Sequence, residues 1–64
     1  MEIKEKSFYY SEIENQMVFV LKYYEGNLGQ EVYVQLVGEK DPENETQFFG
    51  LNYFLGSYKL VGFV

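Results

Sequence analysis

The chain has 64 residues and a formal net charge of −5, with ten acidic residues, five lysines and no arginine, histidine or cysteine. Without cysteine or histidine it lacks disulfides and the usual ligands of zinc, copper and haem, so we expect no metal and no cofactor. Its acidity and lack of arginine argue against direct binding of nucleic acid or anionic membrane.

The length predicts a single small β domain, residues 1–64. A chain this short buries only about 60% of its unfolded surface, so its stability depends on efficient strand pairing or on self-association. Seven tyrosines and six phenylalanines suit both. No apolar run approaches the roughly 20 residues of a membrane span, and no basic leader precedes an apolar one, so we expect a cytoplasmic protein.

The first predicted strand, 3–12, alternates loosely and ends in aromatic residues. A turn near Glu14 and Asn15 would fold it back on the next strand. A short helix over 11–16 is the competing interpretation, although six residues are too few for a helix that is stable alone. The expected facing pairs are Tyr10 with Phe19 and Phe8 with Leu21.

The second and third predicted strands, 16–25 and 30–38, form the clearest hairpin. Both are rich in β-branched and aromatic residues, and they flank the segment 26–29, Gly-Asn-Leu-Gly. A loop with an even number of residues places the alternate apolar side chains on one face. The expected pairs are Tyr23 with Val32, Leu21 with Val34 and Phe19 with Leu36.

A polar loop, 39–45, precedes two further predicted strands, 46–55 and 58–64. A two-residue turn at Gly56 and Ser57 would join these strands. The alternative is a helix over about 42–55, with Asp41 as its N-cap, which a central glycine and four aromatic residues disfavour. The expected strand pairs are Leu55 with Tyr58, Tyr53 with Leu60 and Phe49 with Val64.

These elements predict an all-β fold, a five-stranded antiparallel meander that forms a small barrel or a strongly curved sheet. The alternative is an α+β fold with a three-stranded meander, the helix at about 42–55 and a fourth strand. The alternation assigns one side of the sheet to the core: Phe8, Tyr10, Met17, Phe19, Leu21, Tyr23, Val32, Val34, Leu36, Phe49, Leu51, Tyr53, Leu55, Tyr58, Leu60 and Val64.

The opposite face of the predicted sheet is too apolar for a free, solvated surface. We expect it to be covered by curvature of the sheet, by a second copy or by a partner, because tyrosine-rich surfaces suit protein contacts. The residues assigned to this partner-binding or oligomer face are Tyr9, Val20, Tyr24, Tyr33, Phe54 and Phe63.

The sequence gives little support to an enzyme. No histidine or cysteine is present to activate a serine or threonine hydroxyl. Paired carboxylates could hydrolyse glycosides in principle, but so small a body lacks the walls of a dry cleft. The segment 26–29 lacks the lysine of a phosphate-binding loop, and 39–45 lacks the residue order of a calcium-binding EF-hand. We therefore expect no enzymatic activity.

The acidic residues suggest a partner with a basic surface. If the loop 39–45 is extended, its alternate carboxylates lie roughly 6.6 Å apart, at ~3.3 Å per residue, and could imitate a phosphate backbone. We therefore predict a small acidic protein-binding module, an inhibitor that occupies a basic, nucleic-acid-binding surface, as is common among phage and mobile-element products. The alternative is a structural protein that assembles with itself through an aromatic sheet face. The predicted acidic rim is Glu39, Asp41, Glu43, Glu45, Glu12 and Glu14.

Overall fold

A computed structural model describes residues 3–26 and 29–63. Five strands form one sheet in the order β4-β3-β2-β1-β5, and all neighbouring strands are antiparallel. The predicted five antiparallel strands are therefore confirmed as the main part of the fold, and the structure adds one short helix. The elements are β1 Ser7–Ser11, β2 Gln16–Gly26, β3 Gly29–Leu36, β4 Thr46–Gly50, α1 Leu51–Ser57 and β5 Lys59–Phe63.

The sheet is open rather than closed into a barrel. Strands β1 to β4 form the predicted meander, but β5 pairs with β1, at the opposite edge from β4. Within the described ranges β4 and β5 do not pair, so the barrel and the β4–β5 hairpin were wrong predictions. Gly56 and Ser57 end α1 instead of forming a two-residue turn. Tyr53 and Leu55 also lie in α1, and Val64 falls outside the described residues.

Helix α1 carries the chain from one edge of the sheet to the other. Leu51, Phe54, Leu55 and Tyr58 follow the i, i+3, i+4, i+7 spacing of a helical apolar stripe, and all four belong to the core or pack against it. The backbone N–H of Tyr58 donates to the carbonyl of Phe54 at 2.8 Å and closes the helix. No helix in the described part of the chain is long and apolar enough to cross a membrane.

The β1–β2 connection is a turn at residues 12–15, rather than a helix over 11–16. Asn15 takes a left-handed conformation there, with φ of 51°. The turn has the even parity expected from the sequence, but the register differs from the prediction by two residues. The observed pairs are Phe8 with Phe19, Tyr9 with Val18 and Tyr10 with Met17.

A bulge in β2 changes the predicted hairpin register. Tyr23 pairs with Val32, as predicted, but the register shifts between Val20 and Lys22. The extra residue, Leu21, reverses the alternation in the rest of the strand. The expected pairs of Leu21 with Val34 and Phe19 with Leu36 were therefore wrong, because Val20 opposes Val34 and Val18 opposes Leu36. Asn27 and Leu28 of the predicted hairpin loop lie outside the described residues.

The segment before β1 supplies hydrogen bonds at the bulge. The backbone N–H of Lys6 donates to the carbonyl of Val20 at 2.8 Å. The backbone N–H of Tyr23 donates to Oε2 of Glu5 at 2.9 Å. Because these groups find partners outside the regular ladder, the bulge leaves neither of them unpaired.

The bulge inverts the predicted core face over β1 and the first half of β2. Ser7 and Ser11 are fully buried on the core side, flanking Tyr9, and their small side chains leave room for larger neighbours. Phe8, Tyr10, Met17 and Phe19 consequently lie half-buried on the other side. The buried core consists of Ile3, Tyr9, Val18, Val20, Val32, Val34, Leu36, Phe54 and Tyr58.

Phe54 lies at the centre of this core and is 0% exposed. Its ring centroid is 5.0 Å from that of Tyr9 and 4.8 Å from that of Tyr58, and the Tyr58 ring is nearly parallel, at 8°. The fourth ring of the cluster is Phe49 of β4, whose centroid lies 6.2 Å from that of Phe54. Through these rings α1 covers one side of the sheet and joins β1, β4 and the start of β5.

We expect Phe54→Ala to lower the free energy of unfolding by about 3–5 kcal/mol, because it leaves a cavity under α1. That is a large part of the stability of a chain this size, about 3–10 kcal/mol. Phe54→Leu keeps most of the side-chain volume and should lower the free energy of unfolding by less than about 1.5 kcal/mol. This variant still gives a measured value if Phe54→Ala does not fold. Urea titration followed by tyrosine fluorescence gives both values.

The matched control is Phe48→Ala, since Phe48 is 55% exposed on the other side of the sheet. We expect a loss below about 1 kcal/mol. If Phe48→Ala costs as much as Phe54→Ala, the assignment of the two faces is wrong.

Candidate functional site

The six predicted acidic residues lie at one end of the sheet. Glu12 and Glu14 belong to the turn between β1 and β2, and the other four belong to the loop between β3 and β4. Both connections lie at this end, because β2 and β3 are antiparallel neighbours. The backbone N–H of Val37 donates to the carbonyl of Met17 at 2.9 Å, which joins the loop after β3 to the start of β2, beside the β1–β2 turn. We call this set, all of it exposed, the acidic end: Glu12, Glu14, Glu39, Asp41, Glu43 and Glu45.

The loop of the acidic end is folded into turns. The backbone N–H of Asn44 donates to the carbonyl of Asp41 at 2.9 Å. Asp41 also accepts from the backbone of Glu43 through Oδ1 at 3.1 Å and from the Asn44 amide through Oδ2 at 3.1 Å. Residues 41–44 therefore form a turn, and the continuous extended conformation considered for residues 39–45 is not formed. Asp41 instead stabilises the loop.

Two further carboxylates of the acidic end are held in place by hydrogen bonds. Glu39 accepts from the backbone N–H groups of Lys40 and Asp41 through Oε1, both at 3.0 Å. Glu45 accepts from Nε2 of Gln35 through Oε1 at 2.9 Å. Each of these bonds uses Oε1, so the contact fixes the direction of the carboxylate without using its second oxygen.

Glu14 connects the acidic end to α1. The Tyr53 hydroxyl donates to Oε1 of Glu14 at 3.2 Å. Tyr58 lies behind this contact, where burial raises the pKa of its phenol, with smaller contributions from Tyr53 and Glu14. The neutral form of the Tyr58 phenol is thus favoured. Glu14 itself is exposed at the surface.

The side of the sheet opposite α1 carries an aromatic surface. Phe48 is 55% exposed, and its ring centroid lies 4.6 Å from that of Tyr33 and 5.9 Å from that of Tyr24. The Phe8 and Phe19 rings form a second pair, with centroids 4.9 Å apart. We call this surface the open face, and its members are Phe8, Tyr10, Met17, Phe19, Tyr24, Tyr33 and Phe48.

The sequence placed only part of this surface correctly. Tyr24 and Tyr33 lie on the open face as predicted. Tyr9, Val20 and Phe54 were assigned to it but are 6%, 0% and 0% exposed, so the structure corrects their placement to the core. Tyr9 and Val20 face the core because the bulge in β2 inverts the alternation there. Phe54 faces the core because it lies in α1 rather than in a strand.

Phe63 was also assigned to the exposed face, and it lies on the edge strand β5. It is 63% exposed, and the Nζ of Lys4 is 3.9 Å from its ring centroid. Sequence reasoning assigned Phe8 and Phe19 to the core and so missed them as surface aromatics, whereas it placed Phe48 on the exposed face correctly. Ser7 and Ser11, two residues before and after Tyr9, are the one local signal that the core face of β1 is inverted. In a sequence, however, serines at alternate positions usually indicate the solvated face of a strand.

A groove of about 420 Å³ lies where the open face meets the acidic end. Its position depends on Gly38, which adopts φ of 86° and lets the chain turn out of β3. The groove combines aromatic and aliphatic side chains with two carboxylates. The lining residues of this Phe8–Phe19 groove are Phe8, Phe19, Gln35, Leu36, Val37, Gly38, Glu39 and Glu45.

The groups that line the groove are suited to apolar and cationic side chains. In the described ranges, no three or more acidic, histidine or cysteine side chains form a cluster that could hold a metal ion. The sequence matches no protein-family model, and neither a curated protein nor a solved structure matches it. The function is therefore inferred from the residues and contacts described above.

Proposed function

We propose that the protein is a small acidic protein-binding module that occupies a basic surface of a partner protein. The observation that supports it is the placement of six exposed carboxylates at one end of the sheet, beside an apolar groove. Charge at one end gives the molecule a preferred orientation as it approaches a basic surface. The groove adds apolar area, which charge alone does not provide.

The charge of the acidic end is only partly balanced. Lys40 lies in the same loop, and Lys59 begins β5 opposite Tyr10 at this end of the sheet. These two lysines accompany six carboxylates, so the local charge has the sign of the whole chain, −5. A partner rich in lysine or arginine gains from this arrangement, whereas nucleic acid is repelled.

A partner that uses its basic surface to bind nucleic acid would be inhibited by this occupation. The turn at residues 41–44 departs from the extended conformation that a regular carboxylate interval of about 6.6 Å would need. Competition would therefore arise from charge density and shape at the acidic end. This form of inhibition predicts strong salt dependence and little dependence on the sequence of the displaced nucleic acid.

We expect the protein to bind a synthetic peptide rich in lysine and arginine, with an affinity that falls between about 50 and 300 mM salt. Replacing Glu12 and Glu43 by Gln should weaken binding about two- to thirtyfold, at about 0.2–1 kcal/mol for each exposed charge contact. Isothermal titration calorimetry measures both effects.

The matched control replaces Glu25 and Glu31, at the opposite end of the sheet, by Gln. It changes the net charge equally, so a smaller loss than for Glu12 and Glu43 supports binding at the acidic end. No binding of the basic peptide, equal losses in the two variants, or an affinity independent of salt would each overturn the proposal.

A second candidate function is self-assembly through the open face. Phe48 and Tyr24 are 55% and 41% exposed, and they form one aromatic cluster with Tyr33. Aromatic side chains bury large areas at little entropic cost, which makes them common at protein contacts. In this arrangement the faces of two copies would pack together, and the acidic ends would lie at the rim.

We expect Phe48→Glu to shift the sedimentation coefficient towards that of a monomer, because burying its carboxylate in the contact is costly. Sedimentation velocity over a concentration series makes the comparison. Phe63→Glu is the control, since it adds the same charge on the edge strand β5. A wild-type protein that stays monomeric at every concentration rejects self-assembly, and equal shifts in the two variants place the contact elsewhere.

A further inference from the structure

We propose that the Phe8–Phe19 groove is a receptor for a single arginine side chain of the partner. This inference rests on the proposed function and assigns it a binding site and a ligand group. The methylene groups and guanidinium plane lie over the two rings, and the guanidinium N–H groups donate to Glu39 and Glu45. The groove contains groups suited to each part of that side chain.

Two aromatic rings line the groove, tilted by 59° to each other. Phe8 of β1 and Phe19 of β2 are directly opposed in the sheet, with ring centroids 4.9 Å apart. Both are half-buried, so each keeps part of its ring accessible. Val37, which is 44% exposed, extends the apolar area towards the acidic end. Such a surface suits the hydrocarbon part and the flat face of a guanidinium.

The groove is also lined by two oriented carboxylates, those of Glu39 and Glu45. Oε1 of Glu39 accepts two backbone N–H groups of its own loop, and Oε1 of Glu45 accepts from Gln35. Within residues 3–26 and 29–63 the Oε2 atoms of both carboxylates form no hydrogen bond, so one oxygen of each is available to a ligand. Because the side chains are already held, binding loses less conformational entropy than it would with free carboxylates.

The sign of the ligand follows from these groups. Two carboxylates repel an anion, and none of the lining residues is a lysine that could neutralise them. Cations already lie over aromatic rings elsewhere in the chain, Lys4 over Phe63 at 3.9 Å and Lys22 over Tyr24 at 5.5 Å. Arginine fits better than lysine, because a planar fork can stack on a ring while it donates to two separate acceptors.

The size of the groove agrees with one side chain. Its volume of about 420 Å³ lies at the lower end of the range of small-ligand pockets, about 300–1,000 Å³. One long side chain with its flanking backbone fits this volume. The acidic end would then contact neighbouring basic residues of the same segment.

The test uses a glycine- and serine-based peptide with one arginine, and the same peptide with citrulline, which has the same shape without the charge. Backbone amide shifts of the ¹⁵N-labelled protein are followed by NMR during titration. We expect the arginine peptide to shift Gly38, Glu39 and Glu45, and the citrulline peptide to cause little change. Equal shifts with both peptides, or shifts confined to other parts of the sheet, would overturn the inference.

Variants of the groove provide the second readout, with the lysine- and arginine-rich peptide as ligand. Phe19→Leu removes one ring and keeps an apolar side chain, and it should weaken binding about two- to thirtyfold. Phe8→Leu serves the same purpose if Phe19→Leu does not fold. Phe63→Leu is the aromatic control outside the groove and should leave the affinity unchanged.

The charge comparison replaces Glu39 and Glu45 by Gln, which keeps Oε1 as an acceptor for the loop and for Gln35. We expect this pair to lose more affinity than the pair Glu12 and Glu43. If the two pairs lose equally and Phe19→Leu has no effect, the groove is not the receptor, although the acidic module stands. If no basic peptide binds at all, the proposed function fails as well.

Discussion

The packing of Phe54 against Tyr9 and Tyr58 decides which side of the sheet is covered. Helix α1 lies beside β3 and β4, and this contact, with ring centroids at 5.0 and 4.8 Å, joins it to Tyr9 of β1 and to Tyr58 before β5. Once α1 occupies that side, no helix of the described residues covers the aromatic residues of the opposite side. The open face depends on this contact together with the bulge in β2, and the groove at its border with the acidic end also depends on the turn at Gly38.

Much of the fold follows from simple patterns. The first three strands, their even connections and the pair of Tyr23 with Val32 are set by alternation and turn chemistry. The helix is harder to predict, because Phe49, Leu51, Tyr53 and Leu55 also alternate like a strand. The stripe of Leu51, Phe54, Leu55 and Tyr58 competes with that alternation, and packing on the sheet decides between them.

The candidate site divides in the same way. Its acidic part is visible in the sequence, since a polar loop and a polar turn must lie at the surface, and antiparallel pairing brings them to one end. Its aromatic part is visible only at Tyr24, Tyr33 and Phe48. Phe8 and Phe19 are not visible, because the bulge at Leu21 reverses the alternation and leaves no composition signal. Ser7 and Ser11 make the inverted face harder to predict, because serines in a strand usually indicate the solvated face. Here both are buried, and their hydroxyls form hydrogen bonds with nearby backbone groups.

Hydroxyl-radical footprinting of the aromatic side chains, read by mass spectrometry, tests most directly which face is covered. Oxidation follows solvent exposure, so we predict rapid modification of Phe48 and Tyr24 and slow modification of Phe54, Tyr9 and Tyr58, which are 0%, 6% and 4% exposed. Dilute protein is used, so that self-association does not shield the open face. Rapid oxidation of Phe54 and Tyr9 together with protection of Phe48 would contradict the account, because the sheet would then be covered on its other side.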